Sequence, residues 1–335
     1  MLKLSVLDQS PIPRGGTPAD GIRDTLRLAE AADALGYQRY WLAEHHSSKR
    51  LASPAPEILI GQVAARTSRL RVGSGGVMLS HYSALKVAES FRTLETLFPG
   101  RIDLGIGRAP GSDRLTAQAL ASGPGSLSIE YFPHRIADLV RFLHDDVEPE
   151  HPFAGVHAMP TGEGAPEMWL LGSSGESASF AAHFGLAFSF AQFITPEGGP
   201  SVTRAYARAF RPSKYLSQPL ANVGVFVICA DTEERAAGLE AARNLALVRR
   251  HTGRDGGPYP TVEEAAEYQF SEPERAIVAH QRNRTIAGVP SVVRARLESL
   301  AAEYEVDEMV VVTVTADYES RQRSYELLAH AFEMV

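Results

Sequence analysis

Short apolar runs alternate with longer segments of helical periodicity along the whole chain. Eight runs are nearly continuous in apolar residues, and they cover residues 3–9, 37–45, 69–79, 101–108, 167–174, 185–193, 222–231 and 307–315. Continuous apolar runs are typical of strands that are buried on both faces of a parallel sheet. Strand–helix alternation repeated eight times predicts a (βα)8 barrel of the TIM type, with a doubly wound open sheet as the alternative.

The turn after the first strand separates these two folds. A doubly wound sheet would more often have fewer strands and a phosphate fingerprint in that turn, whereas the turn reads DQSPIPRGG. No linker interrupts the 335 residues, so we expect a single barrel domain over residues 1–335. Insertions are expected at 109–163, which is rich in glycine and proline, and at 251–289, a candidate lid.

The first helix carries a start signal at residues 17–20. Thr17 suits the N-cap, Pro18 the first helical position and Asp20 the reciprocal position of a capping box. Gly36 is expected to end this helix.

Composition excludes several classes of function. A formal net charge of −7 without a compensating basic stripe argues against a nucleic-acid partner. The single cysteine, Cys229, cannot form an intrachain disulfide, and we expect a buried structural thiol. No run approaches the roughly 20 apolar residues that cross a bilayer. We therefore expect a cytoplasmic protein without a membrane partner.

Polar residues and glycines follow the predicted strands. In a barrel the ligand site lies at the carboxyl ends of the strands, where this chain places Asp8, Gln9, Ser10, Glu44, His45, His46, Gly73 to Gly76, Arg108, Ser173, Ser174 and Gln192. This set contains no carboxylate pair of the glycosidase kind and no nucleophile elbow.

Arg108 follows the strand DLGIG. The spacing of the glycines around it does not match a dinucleotide fingerprint, and Pro110 interrupts the helix that such a fingerprint requires. At the barrel rim Arg108 would be a bidentate donor to a phosphate or a carboxylate. The alternative is an ion pair with Asp103 or Asp113.

The segment WLLGSSGESASFAAHFG (169–185) runs from a strand into a helix that begins at Gly175. Free backbone N–H groups and the positive end of the helix dipole suit an anion there. The hydroxyls of Ser173, Ser174 and Ser177 would add donors. The alternative is an ordinary serine cap in which Glu176 satisfies the dipole.

Residues 73–76 place four small residues at a strand end, which favours a platform on which a flat ring lies against the main chain. His45 and His46 are consecutive and would point to opposite faces of a regular strand, so we expect no metal site. One of the two should face the barrel mouth, where imidazole is suited to proton transfer.

Together these segments resemble the bacterial luciferase-like family of flavin-dependent monooxygenases, and within it the single-chain, YhbW-like branch. The resemblance covers nearly the whole chain and rests on RYWLAEHH (39–46), VGSGGVML (72–79), LFPGRIDLGIGRAPGSD (97–113), WLLGSSGESA (169–178) and TIAGVP (285–290). It implies a barrel that binds FMN, supplied in the reduced form by a separate NAD(P)H-dependent reductase, and a homodimer.

The resemblance also implies roles for individual residues. Arg108 and the backbone and hydroxyls around Glu176 and Ser177 would hold the FMN phosphate. Gly75 and Gly76 would form a non-proline cis peptide beneath the isoalloxazine ring. Glu89 matches an acidic residue near that site, reaching from the following helix, and His45 matches the histidine implicated in luciferase catalysis.

The implied reaction adds molecular oxygen to reduced FMN, and the resulting flavin peroxide attacks a small organic substrate while His45 moves a proton. Gly107 stands where luciferase has a reactive cysteine, which argues against an aldehyde-specific or light-emitting role. The alternatives are a deazaflavin-dependent oxidoreductase of the same fold and a flavin-binding protein without turnover. His45 and the candidate lid favour an enzyme over such a carrier.

Overall fold

The centre of the molecule is a parallel sheet. The computed structural model describes residues 2–108, 113–120, 129–254 and 257–335, so parts of both expected insertions lie outside the described residues. The strands are β1 (Lys3–Asp8), β2 (Arg39–Leu42), β3 (Arg71–Met78), β4 (Ile102–Gly107), β5 (Glu167–Gly172), β6 (Ala187–Ala191), β7 (Ala221–Cys229), β8 (Thr285–Gly288) and β9 (Glu308–Val312).

Eight of these strands close into a barrel. β1 to β6 pair in sequence order, and β6 continues onto β7 with Phe188 opposite Ala221. β7 pairs with β9, and β9 pairs with β1 through Lys3 opposite Glu308, which completes the ring. Every pairing is parallel. The predicted TIM-type barrel is confirmed.

The helices pack around this barrel. They are α1 (Pro18–Ala34), α2 (Pro56–Arg66), α3 (Ala84–Leu97), α4 (Arg114–Leu120), α5 (Phe132–Leu143), α6 (Gly175–Phe184), α7 (Gly199–Ala209), α8 (Glu233–His251), α9 (Val262–Glu267), α10 (Glu272–Gln281), α11 (Pro290–Tyr304) and α12 (Tyr318–Ala331). Short 3-10 helices cover Leu79–His81, Ile129–Tyr131 and Arg282–Arg284. Across the described part of the chain, none of the helices combines the length and the apolar character needed to span a bilayer.

Both expected insertions contain more regular structure than the sequence indicated. Within 109–163, α5 packs on α3 and buries an apolar face against the barrel, so it belongs to the helical layer. Within 251–289, β8 adds a ninth strand, which pairs with β7 from Phe226 to Cys229, beyond the residues that β6 pairs with. The sequence missed β8 because it has only four residues and no long apolar run.

Charged and aromatic layers fill the barrel interior near the amino ends of the strands. Arg39 of β2 donates to three carboxylates, those of Asp103 at 2.8 Å, Glu167 at 2.8 Å and Glu308 at 3.1 Å. Burial would lower the pKa of Arg39, but these carboxylates raise it above its ordinary value, so the guanidinium stays charged. Next to it, the rings of Trp41 and Trp169 meet edge to face with centroids 5.2 Å apart. These layers close the amino end of the barrel and leave the opposite end for a ligand.

Candidate active site

A cavity of about 810 Å³ lies at the carboxyl ends of the strands. This volume is typical of small-molecule and cofactor sites. The described residues that line it are Leu7, Gln9, Ala43, Glu44, His45, Gly75, Gly76, Met78, Ser80, Gly107, Arg108, Arg114, Ala117, Gln118, Leu171, Gly172, Ser173, Ser174, Ser177, Ala191, Phe193 and Ile194. Most of the strand-end residues singled out in the sequence therefore share one cavity.

The wall formed by β3 is main chain without side chains. The peptide bond between Gly75 and Gly76 is cis, as the resemblance implied. A Cβ atom added to Gly76 would lie 2.7 Å from the carbonyl oxygen of Gly105, and one added to Gly75 would lie 2.5 Å from Leu7 Cδ1. Only glycine fits at either position, so β3 offers the cavity a bare backbone surface on which a flat ring can lie.

Arg108 pairs with Glu176 at one end of the cavity. The alternative that it pairs with Asp103 is wrong, because Asp103 accepts from Arg39, Arg71 and Trp41 instead. The ion pair brings the end of β4 together with the first turn of α6. Both groups expected to bind an anion thus lie on one side of the cavity.

The start of α6 keeps its donors available to the cavity. Ser174 is the N-cap residue, and its side chain makes no capping hydrogen bond. Ser173, Ser174 and Ser177 all line the cavity. A Cβ atom on Gly172 would lie 2.4 Å from Ser177 Oγ, so this glycine allows α6 to approach β5 closely. Backbone N–H groups and hydroxyls at this helix terminus can surround an anion beside Arg108.

The buried carboxylate of Glu44 organises the end of β2. It accepts hydrogen bonds from the backbone N–H of Met78 at 3.0 Å and from the hydroxyl of Tyr82 at 2.8 Å, and it lies 2.7 Å from His46 Nε2. Burial and the nearby Glu44 raise the pKa of Tyr82, which keeps the phenol protonated. His46 therefore packs against the rim and does not face the cavity.

His45 is the histidine that lines the cavity. Its backbone N–H donates to the carbonyl of Ser53 at 3.1 Å, while its buried Nδ1 atom has no hydrogen-bond partner among the described residues. Burial lowers the pKa of His45 to about 4, and the charges of Arg250 and His46 act in the same direction. The imidazole is therefore neutral at neutral pH and can both donate and accept a proton.

Two expected residues, Glu89 and Glu176, are not among the described residues that line the cavity, whereas other residues join it unexpectedly. Glu89 lies half-buried in the middle of α3 and is not among the described lining residues, so its role stays a prediction. Three residues of α4 also line the cavity although no sequence pattern indicated them, namely Arg114, Ala117 and Gln118. They belong to a helix and not to a strand end, so the rule that ligands bind at the carboxyl ends of the strands could not identify them.

Comparison with known proteins decides the family. Residues 2–308 match the model of the luciferase-like monooxygenase family. The chain belongs to the luciferase-like monooxygenase family. It is accordingly an enzyme of a monooxygenase family, and membership of the single-chain branch stays a prediction.

Full-length relatives agree with this family assignment. The chain is 47% identical over 332 residues to "Uncharacterized protein YwcH" of Bacillus subtilis, with 99% of each chain covered. It is 39% identical to a "Luciferase-like monooxygenase" of Escherichia coli, covering 97% of this chain and 96% of the relative. It is 37% identical to the "N-acetyl-S-alkylcysteine monooxygenase" of Bacillus subtilis, covering 99% and 98%.

Solved structures share the fold. The crystal structure of apo-MsnO8 superposes with a TM-score of 0.87 at 39% identity and covers 100% of this chain and 98% of its own. The oxygenating component of 3,6-diketocamphane monooxygenase from Pseudomonas putida, solved with FMN, has a TM-score of 0.69 at 18% identity, covering 98% and 96%. At such low identity the likeness shows the fold alone.

Proposed function

We propose that this enzyme is a monooxygenase that uses reduced FMN and molecular oxygen to oxidise a small organic substrate. One observation carries the proposal. A single cavity brings together a corner of hydrogen-bond donors, Arg108 with the first turn of α6, a bare glycine wall at Gly75 and Gly76, and the neutral imidazole of His45. These are the partners that a phosphate, a flat ring and a reacting centre would each need.

The residues present fit the phosphate of FMN. Arg108 would provide a charge-assisted donor, and the hydroxyls of Ser173, Ser174 and Ser177 would join the backbone N–H groups of α6 around the phosphate oxygens. Glu176 forms an ion pair with the guanidinium of Arg108. We infer that its carboxylate holds Arg108 in position for the phosphate. Any contribution of Glu89 to cofactor binding would be indirect, because Glu89 is not among the described residues that line the cavity.

The glycine wall fits the ring system. Gly75 and Gly76 carry no side chain that would hold a ring away from the main chain, and the surrounding structure admits none. When bound, reduced FMN supplies the electrons with which one oxygen atom enters the substrate and the other leaves as water.

The chain itself would position the reactants, exclude water and move a proton. Apolar side chains of Leu7, Ala43, Met78, Leu171 and Phe193 line much of the cavity, which favours a dry site. Nδ1 of His45, which has no hydrogen-bond partner among the described residues, lies in this environment and is available to take up or release a proton near the reacting atoms.

The partners follow from the same proposal. A separate NAD(P)H-dependent flavin reductase would supply the reduced FMN in the cytoplasm. The enzyme would act as a homodimer, and sedimentation velocity would test this oligomeric state. The Bacillus relative that is 37% identical is named for N-acetyl-S-alkylcysteines. Compounds of that kind, which are small thioethers that carry a carboxylate, are therefore the first substrates to test.

A deazaflavin-dependent reaction is the second candidate, because one structural neighbour is an F420-dependent secondary alcohol dehydrogenase with a TM-score of 0.68. Its sequence identity is only 11%. The relatives named monooxygenases are 37% to 39% identical over nearly the full length. That difference in similarity favours oxygen chemistry.

The test is oxygen incorporation. The enzyme should transfer one atom of ¹⁸O from labelled oxygen to N-acetyl-S-methyl-L-cysteine when a flavin reductase supplies reduced FMN. Reduced deazaflavin F420 should give no labelled product. Oxygen consumption that yields only hydrogen peroxide with every thioether tested, or turnover with the deazaflavin alone, would contradict the proposal.

A further inference from the structure

A second cavity, of about 570 Å³, lies beside the first one. It is bounded by the loop after β2, by α8 and by the segment that leads into β8. Its described lining residues include Lys49, Arg50, Arg243, Arg250 and Arg284, and none of the described lining residues is acidic. We call it the basic cavity. Such a concentration of positive charge stands out in a chain whose formal net charge is −7.

Two arginines of the basic cavity have unsatisfied capacity to bind an anion. Arg243 lies with its guanidinium carbon 3.7 Å from the ring centroid of Phe226 and donates from Nε to Thr285 Oγ1 at 3.0 Å. The buried Nε atom of Arg284 has no hydrogen-bond partner among the described residues. No carboxylate of the described residues pairs with either guanidinium.

Bringing these two cations together has an electrostatic cost that an anion would relieve. Burial lowers the pKa of Arg243, and the positive charges of Arg250 and Arg284 act in the same direction, while Tyr259 and Glu240 oppose them only in part. A group of like charges in a partly desolvated pocket is unfavourable unless an opposite charge joins it. The aromatic rings of Phe193, Phe226 and Tyr259 in the same walls provide apolar surface for the organic part of a ligand.

The basic cavity adjoins the proposed flavin site. Gln9 and Phe193 line both cavities, so the two cavities are direct neighbours. Arg250 lines the basic cavity, and its charge reaches the imidazole of His45 in the first cavity.

We propose that the basic cavity binds the carboxylate of the substrate through Arg243 and Arg284, so that the enzyme is selective for small organic acids whose oxidisable atom reaches the first cavity. This inference rests on the proposed function, because the reacting atom must lie beside His45 and the flavin. The guanidinium pair would hold the carboxylate in the bidentate manner that arginine favours.

The test compares a carboxylic acid with its neutral amide. The probes are N-acetyl-S-methyl-L-cysteine and its carboxamide, which have nearly the same shape and differ in charge. Calorimetric titration of the full chain should give a Kd for the acid at least about tenfold lower than that for the amide, as expected for charge-assisted hydrogen bonds. Arg284→Gln and Arg243→Gln should each remove most of that preference.

The controls separate this inference from the proposed function. Arg204→Gln changes a partly exposed arginine on α7 that lines neither cavity among the described residues and should leave the preference intact. Arg284→Gln keeps the test decisive if the more enclosed Arg243→Gln does not fold. Equal affinities for acid and amide, no binding of the acid, or an unchanged preference in folded variants would overturn the carboxylate site. Selective binding of the acid without oxygen incorporation would instead count against the proposed function.

Discussion

At the scale of single residues, two neighbouring histidines have different surroundings. His46 Nε2 lies 2.7 Å from the carboxylate of Glu44, whereas Nδ1 of His45 is buried without a hydrogen-bond partner among the described residues. The sequence predicted that only one of them faces the cavity, because consecutive side chains diverge. It could not predict which groups surround each ring, since Tyr82 and Arg250 are distant in sequence.

Replacing His45 should separate binding from catalysis. His45→Ala should bind reduced FMN as tightly as the wild type does, but lower product formation by about 100-fold, the scale of general acid–base catalysis. The oxygen consumed should appear as hydrogen peroxide. Product and peroxide yields measured together check this, with His280→Ala, an exposed histidine on α10, as the control.

The pH dependence of the same reaction follows from the pKa of His45, which burial lowers to about 4. The neutral imidazole is then the form present at neutral pH, and only acidification toward pH 4 protonates it. The wild-type rate should show no inflection from His45 near its ordinary pKa and should fall as the pH approaches 4. A His45-dependent inflection near pH 6.5 would contradict a buried, neutral imidazole.

At the scale of secondary-structure elements, the sequence predicted where a helix begins and whether a segment is helix or strand better than it predicted close contacts between elements. Thr17 caps α1 and forms the predicted capping box with Asp20. Within β4, Gly105 allows β3 and β4 to approach closely, since an added Cβ atom would lie 2.1 Å from the carbonyl oxygen of Ser74. Gly107, by contrast, lines the cavity. Such contacts depend on the register of β3 with β4, which no local pattern specifies.

This difference between the two glycines predicts different effects on stability. Gly105→Ala should lower the free energy of unfolding by about 3 kcal/mol, the upper range for overpacking, because backbone atoms must move. Gly107→Ala should change it by less than about 1 kcal/mol, since its nearest neighbour, Met78 Sδ, would lie at an ordinary 3.7 Å. Denaturant unfolding of both variants measures this. Equal losses would show that the backbone at Gly105 is not closely packed.

At the scale of the whole molecule, the barrel converts distant segments into one site. The sequence predicted the barrel, and the rule that ligands bind at the carboxyl ends of the strands then assembled His45, Arg108 and the start of α6 correctly in one cavity. The basic cavity was not predicted, because Arg243 and Arg284 lie within helical segments rather than at expected strand ends. The two arginines come together because β8 joins the sheet and α8 packs beside it.

The proposed function depends above all on the binding of the FMN phosphate by Arg108 and α6. The decisive measurement is the anaerobic Kd of reduced FMN and of reduced riboflavin, which lacks the phosphate, for the wild type and for Arg108→Gln. The variant should lose about 1.5–3 kcal/mol of affinity for FMN and none for riboflavin. An unchanged affinity for FMN, or an equal loss for both flavins, would contradict the proposed binding of the phosphate.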